Sequence, residues 1–200
     1  MTAPAGPKIR KAEPSELPQV AAVLARAFYD DPAIGWVFPN DAKRLAQTER
    51  YWASRLRYLS PQDQVYVTDD LGAAAIWTLP GQWRSSWRET LDQGRRMLTR
   101  RLPLLLFGLY RLESGHPHEP GSFYLVVLGT DPPRQGQGLG SALMQPVLEL
   151  CDRDGVPAYL ESSKERNVDF YSRFGFRVTK ELRLPRGPLM WPMWRDPAAH

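Results

Sequence analysis

The sequence predicts an α/β fold in one domain, and three observations carry that prediction. An apolar run at 123–128 leads into a glycine-rich turn and then a helix-like run at 142–150, a strand–loop–helix unit. Val65-Tyr66-Val67 and the apolar stretch 73–79 flank the turn-like Asp69-Asp70-Leu71-Gly72 and read as an antiparallel hairpin. Two hundred residues at 42% apolar content support one sizeable core and argue against a second domain.

Taken in order, residues 1–7 are rich in Pro, Gly and Ala and are expected to form a disordered tail, with the domain spanning 8–200. Residues 8–12 read as a first strand. A helix follows, capped by Ser15 or a near neighbour, with Leu17, Val20, Val23, Leu24, Ala27 and Phe28 on one stripe. It ends before Pro32, and an aromatic loop at 29–40 carries Tyr29, Asp31, Trp36 and Phe38. That loop either plugs the space between helices or lines a pocket. Asp41 is placed as the cap of a second helix running to about Leu59.

Beyond the hairpin, residues 82–115 carry two helical patterns, at 85–98 and 103–112, with many arginines. The apolar run at 102–109 is far short of the ~20 residues that span a bilayer, so a helical insert covering the sheet is favoured over a membrane-surface helix. After the glycine turn come a strand at 157–161, a short helix from Asn167, a strand at 177–184, the turn Pro185-Arg186-Gly187-Pro188 and a last strand at 189–194.

Arg134-Gln135-Gly136-Gln137-Gly138-Leu139-Gly140-Ser141 is the most informative stretch. At a strand-to-helix turn the first helical N–H groups lack partners and the helix dipole adds partial positive charge, so the backbone can grip an anion. A P-loop would end in Gly-Lys-Ser/Thr, and a dinucleotide fingerprint would need Gly-x-Gly-x-x-Gly; the loop has neither. It has Gln-x-x-Gly-x-Gly, from Gln135, Gly138 and Gly140.

That pattern, after a strand ending in Leu128-Gly129-Thr130, resembles the pyrophosphate loop of the GCN5-related N-acetyltransferases (GNAT). Pro157-Ala158-Tyr159-Leu160-Glu161, then Asn167, the pair Phe170-Tyr171 and the turn Gly175-Phe176, follow in the family's order. Within the family, the block from Glu119 to Phe176 is most similar to the puromycin N-acetyltransferases. The resemblance implies a central mixed, mostly antiparallel sheet flanked by helices, acetyl-CoA as co-substrate and a small-molecule amine as acceptor, with an aminonucleoside such as puromycin one candidate.

It also implies roles. Backbone groups of Leu128, Gly129 and Thr130 pair with the pantetheine arm, amides of Gln135, Gly136, Gln137, Gly138, Leu139, Gly140 and Ser141 hold the pyrophosphate, and Asn167 and Phe170 complete the cofactor site. The N–H at or next to Leu128 serves the oxyanion. Glu161 is either the general base or a surface strand end paired with an arginine. Tyr171 is either the acid for the departing thiolate or a core aromatic, and Asn167 is a cofactor contact, a helix cap, or both. Tyr29, Asp31, Trp36 and Glu119 are assigned to the acceptor.

The remaining signals exclude more than they add. A single cysteine, Cys151, rules out an internal disulfide framework and reads as a buried structural thiol. His116, His118 and Glu119 are compact, but no further metal ligand accompanies them, so no metal is expected. A net charge of +4 suits an anionic cofactor, no nucleic-acid module is visible, and no signal peptide is seen. The expectations are a cytoplasmic monomer or homodimer with neither nucleic-acid nor membrane partners. Two other functions stay open: acetylation of a protein lysine or N terminus, and a non-enzymatic acyl-CoA-binding regulatory module.

Overall fold

Ala73-Ala74-Ala75-Ile76-Trp77 is apolar at every position, and a strand of that kind must be covered on both faces. The computed structural model, which describes residues 6–84, 88–89, 102–117 and 121–198, covers both. In chain order it contains β1 (Ile9–Lys11), α1 (Leu17–Ala27), α2 (Pro32–Val37), α3 (Asp41–Leu59), β2 (Val65–Thr68), β3 (Ala73–Thr78) and α4 (Leu102–Gly115). There follow β4 (Phe123–Thr130), α5 (Leu139–Asp154), β5 (Ala158–Ser162), α6 (Val168–Ser172), β6 (Arg177–Val178), β7 (Leu182–Arg183) and β8 (Leu189–Arg195). The sheet order is β1-β2-β3-β4-β5-β8-β6, with β7 also on β8. Every pairing is antiparallel except β4 with β5, so the sheet is mixed and mostly antiparallel, as expected.

Alternation along β3 divides the core in two. Ala73, Ala75 and Trp77 face a cluster with Leu143, Met144 and Val147 of α5, while Ala74 and Ile76 face Val20 and Leu24 of α1 and Leu56 of α3. The small alanines let helices approach the sheet closely, and each fully buried Leu or Ile contributes about 1.5–3 kcal/mol. Gly129 serves the same approach: a Cβ there would lie 2.8 Å from Leu24 Cδ2 and 3.1 Å from Phe28 Cε2.

Several local expectations need correction. The first helix is entered through a 3-10 turn, Pro14–Glu16, closed by a Glu13–Glu16 capping box, so near neighbours of Ser15 cap it and Ser15 itself lies inside the turn. Asn40, not Asp41, is the N-cap of α3. The aromatic loop contains a helix, α2, because Asp31 accepts from the amides of Ala33 (2.9 Å) and Ile34 (3.2 Å) and Pro32 suits the first helical turn. The strand at 177–184 is two short strands: Val178 pairs with Met193 but Leu182 with Met190, and between them Pro192 has no N–H to continue the ladder. Apart from residues 88–89, the helix expected at 85–98 lies outside the described residues, as do His118 and Glu119. Among the described residues no helix is long and apolar enough to cross a membrane.

Candidate active site

The parallel pair at the centre of the sheet sets up the site. β4 and β5 are in register from Phe123↔Ala158 to Leu125↔Leu160 and no further, although β4 runs on to Thr130. A bulge begins there: β3 pairs Trp77 with Leu125 but Ile76 with Val127, leaving Val126 as the extra residue. The bulge reverses the strand's facing. Phe123 and Leu125 pack toward α5, whereas Val126 and Val127 both pack toward α1 and α3. Residues 126–130 thus keep β3 on one side and have no β5 partner on the other, a crevice at the carboxyl ends of parallel strands of the kind that takes ligands.

The glycine turn sits at the end of this crevice. Gly138 is the N-cap of α5 at φ 77°, no side chain caps the helix, and no acidic residue stands in its first turn. The first helical hydrogen bond runs from Ala142 N to Gly138 O at 3.0 Å, so the amides of Leu139, Gly140 and Ser141 belong to the unpaired first turn. Gly136, at φ 76°, and Gly138 have nothing within 4 Å of where a Cβ would stand, which makes an open cradle for an anion. The cradle is anchored from behind. Asp131 takes a two-pronged contact from Arg26 (2.9 and 2.7 Å), its amide donates to Gly72 O, and Arg134 pairs with Asp70. Gln135 Nε2 donates to Thr130 O at 3.2 Å, tying the loop to the strand end.

The residues expected to share a cofactor converge here. A Cβ on Gly140 would lie 3.5 Å from Phe170 and 3.8 Å from Leu128, so loop, strand end and α6 are adjacent. Asn167 is the N-cap of α6, yet its side chain makes no capping bond. Tyr171 is buried among Phe170, Phe176 and the core, and burial, with the charge of Asp31 adding to it, raises its phenol well above the ordinary range. It therefore holds its proton through neutral pH.

On the α1/α3 side of the same crevice is a cavity of about 330 Å³. Its walls are mostly apolar and aromatic: Phe28, Trp36, Phe38, Tyr51 and Trp52 from the first three helices and the residues that end them, and Leu105, Leu109 and Leu112 from α4. Glu161, at the end of β5, faces into it. Tyr124 donates to its Oε2 at 2.7 Å and Tyr159 to its Oε1 at 3.1 Å. Burial pushes the carboxyl above its ordinary value, and the two hydroxyls and Lys180 pull it part of the way back. Glu161 is half-buried and lines the cavity, so its carboxylate is open to an acceptor there. His116 lines the wall beside it, stacked on Trp83 at 3.8 Å and edge-on to Tyr124 and Tyr159. Arg55 also lines the cavity and is paired with Glu89.

Of the residues assigned to the acceptor, Asp31 and Trp36 line the cavity with Glu161. Asp31 is engaged by the α2 amides and by Ser163 Oγ. Tyr29 stands outside: it is 41% exposed, under the Arg44 guanidinium, and its hydroxyl reaches Asp41 O. Glu119 is outside the described residues. Cys151 is fully buried and its thiol is pushed up to about 12 by that burial, as an inert core residue should be. Tyr124, Tyr159 and Arg55 escaped the sequence reading. Tyr124 and Tyr159 occupy matching positions on neighbouring strands, a register no linear pattern reveals.

Comparison with known proteins agrees with this fold. The family model described as an acetyltransferase (GNAT) domain matches residues 69–196. An uncharacterized N-acetyltransferase of Schizosaccharomyces pombe is 26% identical over 194 residues, covering 88% of this chain and 77% of that protein. A solved structure from Corynebacterium glutamicum, described as histone acetyltransferase HPA2 and related acetyltransferase, superposes with a TM-score of 0.71 at 19% identity over 98% of both chains. Arylalkylamine N-acetyltransferase 2 of Aedes aegypti gives 0.67 at 12% identity over 94% of this chain and 98% of that one. At such identities the two structural likenesses establish a shared fold.

Proposed function

The chain belongs to the GNAT acetyltransferases, and on that premise we propose that it moves the acetyl group of acetyl-CoA onto the primary amine of a small molecule with a compact apolar or aromatic body. The observation that carries the acceptor class is Glu161, a carboxylate held by two tyrosine hydroxyls at the wall of a mostly apolar and aromatic cavity. At about 330 Å³ the cavity is near the lower end of small-molecule sites, about 300–1,000 Å³. α4 closes one side of it. A peptide acceptor would need a groove open along its length, which does not favour protein acetylation.

The cradle formed by residues 135–141 fits a pyrophosphate, and the unpaired edge of Leu128, Gly129 and Thr130 fits an amide-bearing arm added as a further strand. Bound there, acetyl-CoA supplies the activated acyl group. The chain supplies the rest. An alkyl ammonium has a pKa near ~10 and must lose a proton before it can attack, and Glu161 accepts that proton. The amide at or next to Leu128 stands ready for developing negative charge, and Tyr171, protonated at neutral pH, serves as the acid for the departing thiolate. The likeness to puromycin-acetylating members is a resemblance in sequence, clearest from Glu119 to Phe176 and weaker toward the N terminus, so puromycin enters as one test compound among many amines.

Acceptor-dependent release of free thiol from acetyl-CoA, screened over aromatic and aliphatic amines that include puromycin, tests this reading. Turnover lost on Glu161→Gln supports it. Cofactor binding without turnover of any amine would instead support a regulatory acyl-CoA-binding module, and turnover of peptides alone a protein acetyltransferase.

A further inference from the structure

Trp36, on α2, is held end to end by two glycines. A methyl group on Gly108 of α4 would lie 2.5 Å from Trp36 Cη2, and one on Gly187, in the turn before β8, would lie 2.6 Å from Nε1 at the other end of the indole. Carbon atoms rest about 3.5–4.0 Å apart, so neither position has room for a side chain. Neither glycine has a positive φ, which leaves close approach, not backbone conformation, as what each provides. Glycine inside a helix is destabilising relative to alanine, and at 108 the indole is the physical reason for it.

The ring is fixed in rotation as well. Its Nε1–H donates to Pro185 O at 3.1 Å, and it packs against the small cluster of Leu182, Leu184 and Met190, apart from the two main cores. α2, α4 and the β7–β8 turn, which are remote in the chain, thus meet on one side chain that also lines the acceptor cavity. A ring that cannot slide or turn cannot make way for a longer acceptor.

Resting on the acetyltransferase reading above, we propose that Trp36 is a positioning residue for selectivity: wedged between Gly108 and Gly187, its indole is the rigid wall that limits the acceptor's apolar body. The test compares the wild type with Trp36→Ala and Gly108→Ala on acetyl-CoA and a graded series of amines from benzylamine to 4-phenylbutylamine. Trp36→Ala should shift the kcat/KM ratio toward the longer amines by roughly 10–200-fold, the range a methylene-scale fit is worth, through acceptor KM and not kcat. The KM for acetyl-CoA should not move. Gly108→Ala, which displaces the indole while keeping it, should alter the same ratio with Trp36 still present. Identical acceptor ratios in all three proteins would overturn the proposal.

Thermal melting supplies a readout independent of turnover. Gly108→Ala should lower the Tm in the wild type but raise it, by helix propensity, in the Trp36→Ala background. Additive shifts would overturn the wedge. Failure of the wild type to acetylate any amine of the series would count against the acceptor reading, while the melting cycle would still decide the wedge.

Discussion

Replacing Tyr124 by Phe removes one of the two hydroxyls that hold the Glu161 carboxylate and leaves the ring in place. The 2.7 Å bond is short, its acceptor is charged, and bonds of that kind are worth about 1.5–3 kcal/mol. At 1.36 kcal/mol per pKa unit this corresponds to about 1–2 units. The carboxylate faces the cavity and keeps some access to water, so the lower end, about one unit, is expected. The direction is fixed by the proton balance. The bond favours the ionised form, so its loss raises a carboxyl that burial already holds above its ordinary value. Glu161 must be ionised to act as base, and the acid limb of the kcat/KM profile for the acceptor should move to higher pH by about one unit in Tyr124→Phe.

The same shift has a stability signature. A carboxyl whose folded pKa lies above its unfolded value binds more protons when folded, so stability is lost as pH rises from the unfolded value through the raised folded one. Tyr124→Phe should therefore be destabilised more at pH 8 than at pH 4, by thermal or denaturant melting. An acid limb that stays in place in Tyr124→Phe while Glu161→Gln remains active would refute the assignment of Glu161 as the base, and a deficit independent of pH would refute the electrostatic role of Tyr124.

Three further perturbations reach other parts of the site. Tyr171→Phe deletes the proposed acid without changing the core ring, and should lower kcat by about 10²–10⁴-fold with acetyl-CoA affinity, measured by calorimetry, unchanged; full activity would reduce Tyr171 to a packing residue. Gly138→Ala has room for its methyl group but not the right backbone, since an L-residue at φ 77° costs about 1–2 kcal/mol. Relaxation of that strain through the cradle should raise the KM for acetyl-CoA roughly 5–30-fold, with a smaller effect on the acceptor KM. Gly129→Ala places a methyl group 2.8 Å from Leu24 Cδ2 and should cost about 1–3 kcal/mol by overpacking, read as a drop of about 2–4 °C in Tm per kcal/mol. An unchanged Tm there would mean that α1 is less firmly seated on β4 than its packing indicates.

Much of the scaffold is legible in the linear sequence because its causes are local. The unbroken apolar run of β3 reports burial on both faces, and the stripe of α1 reports burial on one. The turn 134–141 between a strand and a helix signals an anion cradle, because positive φ and unpaired amides follow from glycine and from helix ends alone. Local misreadings had local competitors: Asp31 and Pro32 start a helix where a proline after two acids reads as a stop, and Pro192 breaks a strand from the partner side.

The acceptor side was legible only in part: Asp31, Trp36 and Glu161 do line the cavity, but its geometry is made by contacts between remote segments. Glu161 is read from sequence as either a base or a surface strand end, and only the pairing of β4 with β5, which sets Tyr124 beside Tyr159, surrounds it with hydroxyl donors. Tyr29 and Trp36 are equivalent aromatics in one loop until α2 and α3 fold, after which one lies under Arg44 at the surface and the other is clamped at the cavity wall. By itself the sequence determined the α/β class and an anion-binding turn, since hydrophobic period and glycine chemistry act over a few residues. The tertiary structure alone decided what surrounds Glu161 in the cavity, what tunes it and how much space stands before it, because burial, dielectric and shape depend on elements brought together from opposite ends of the chain.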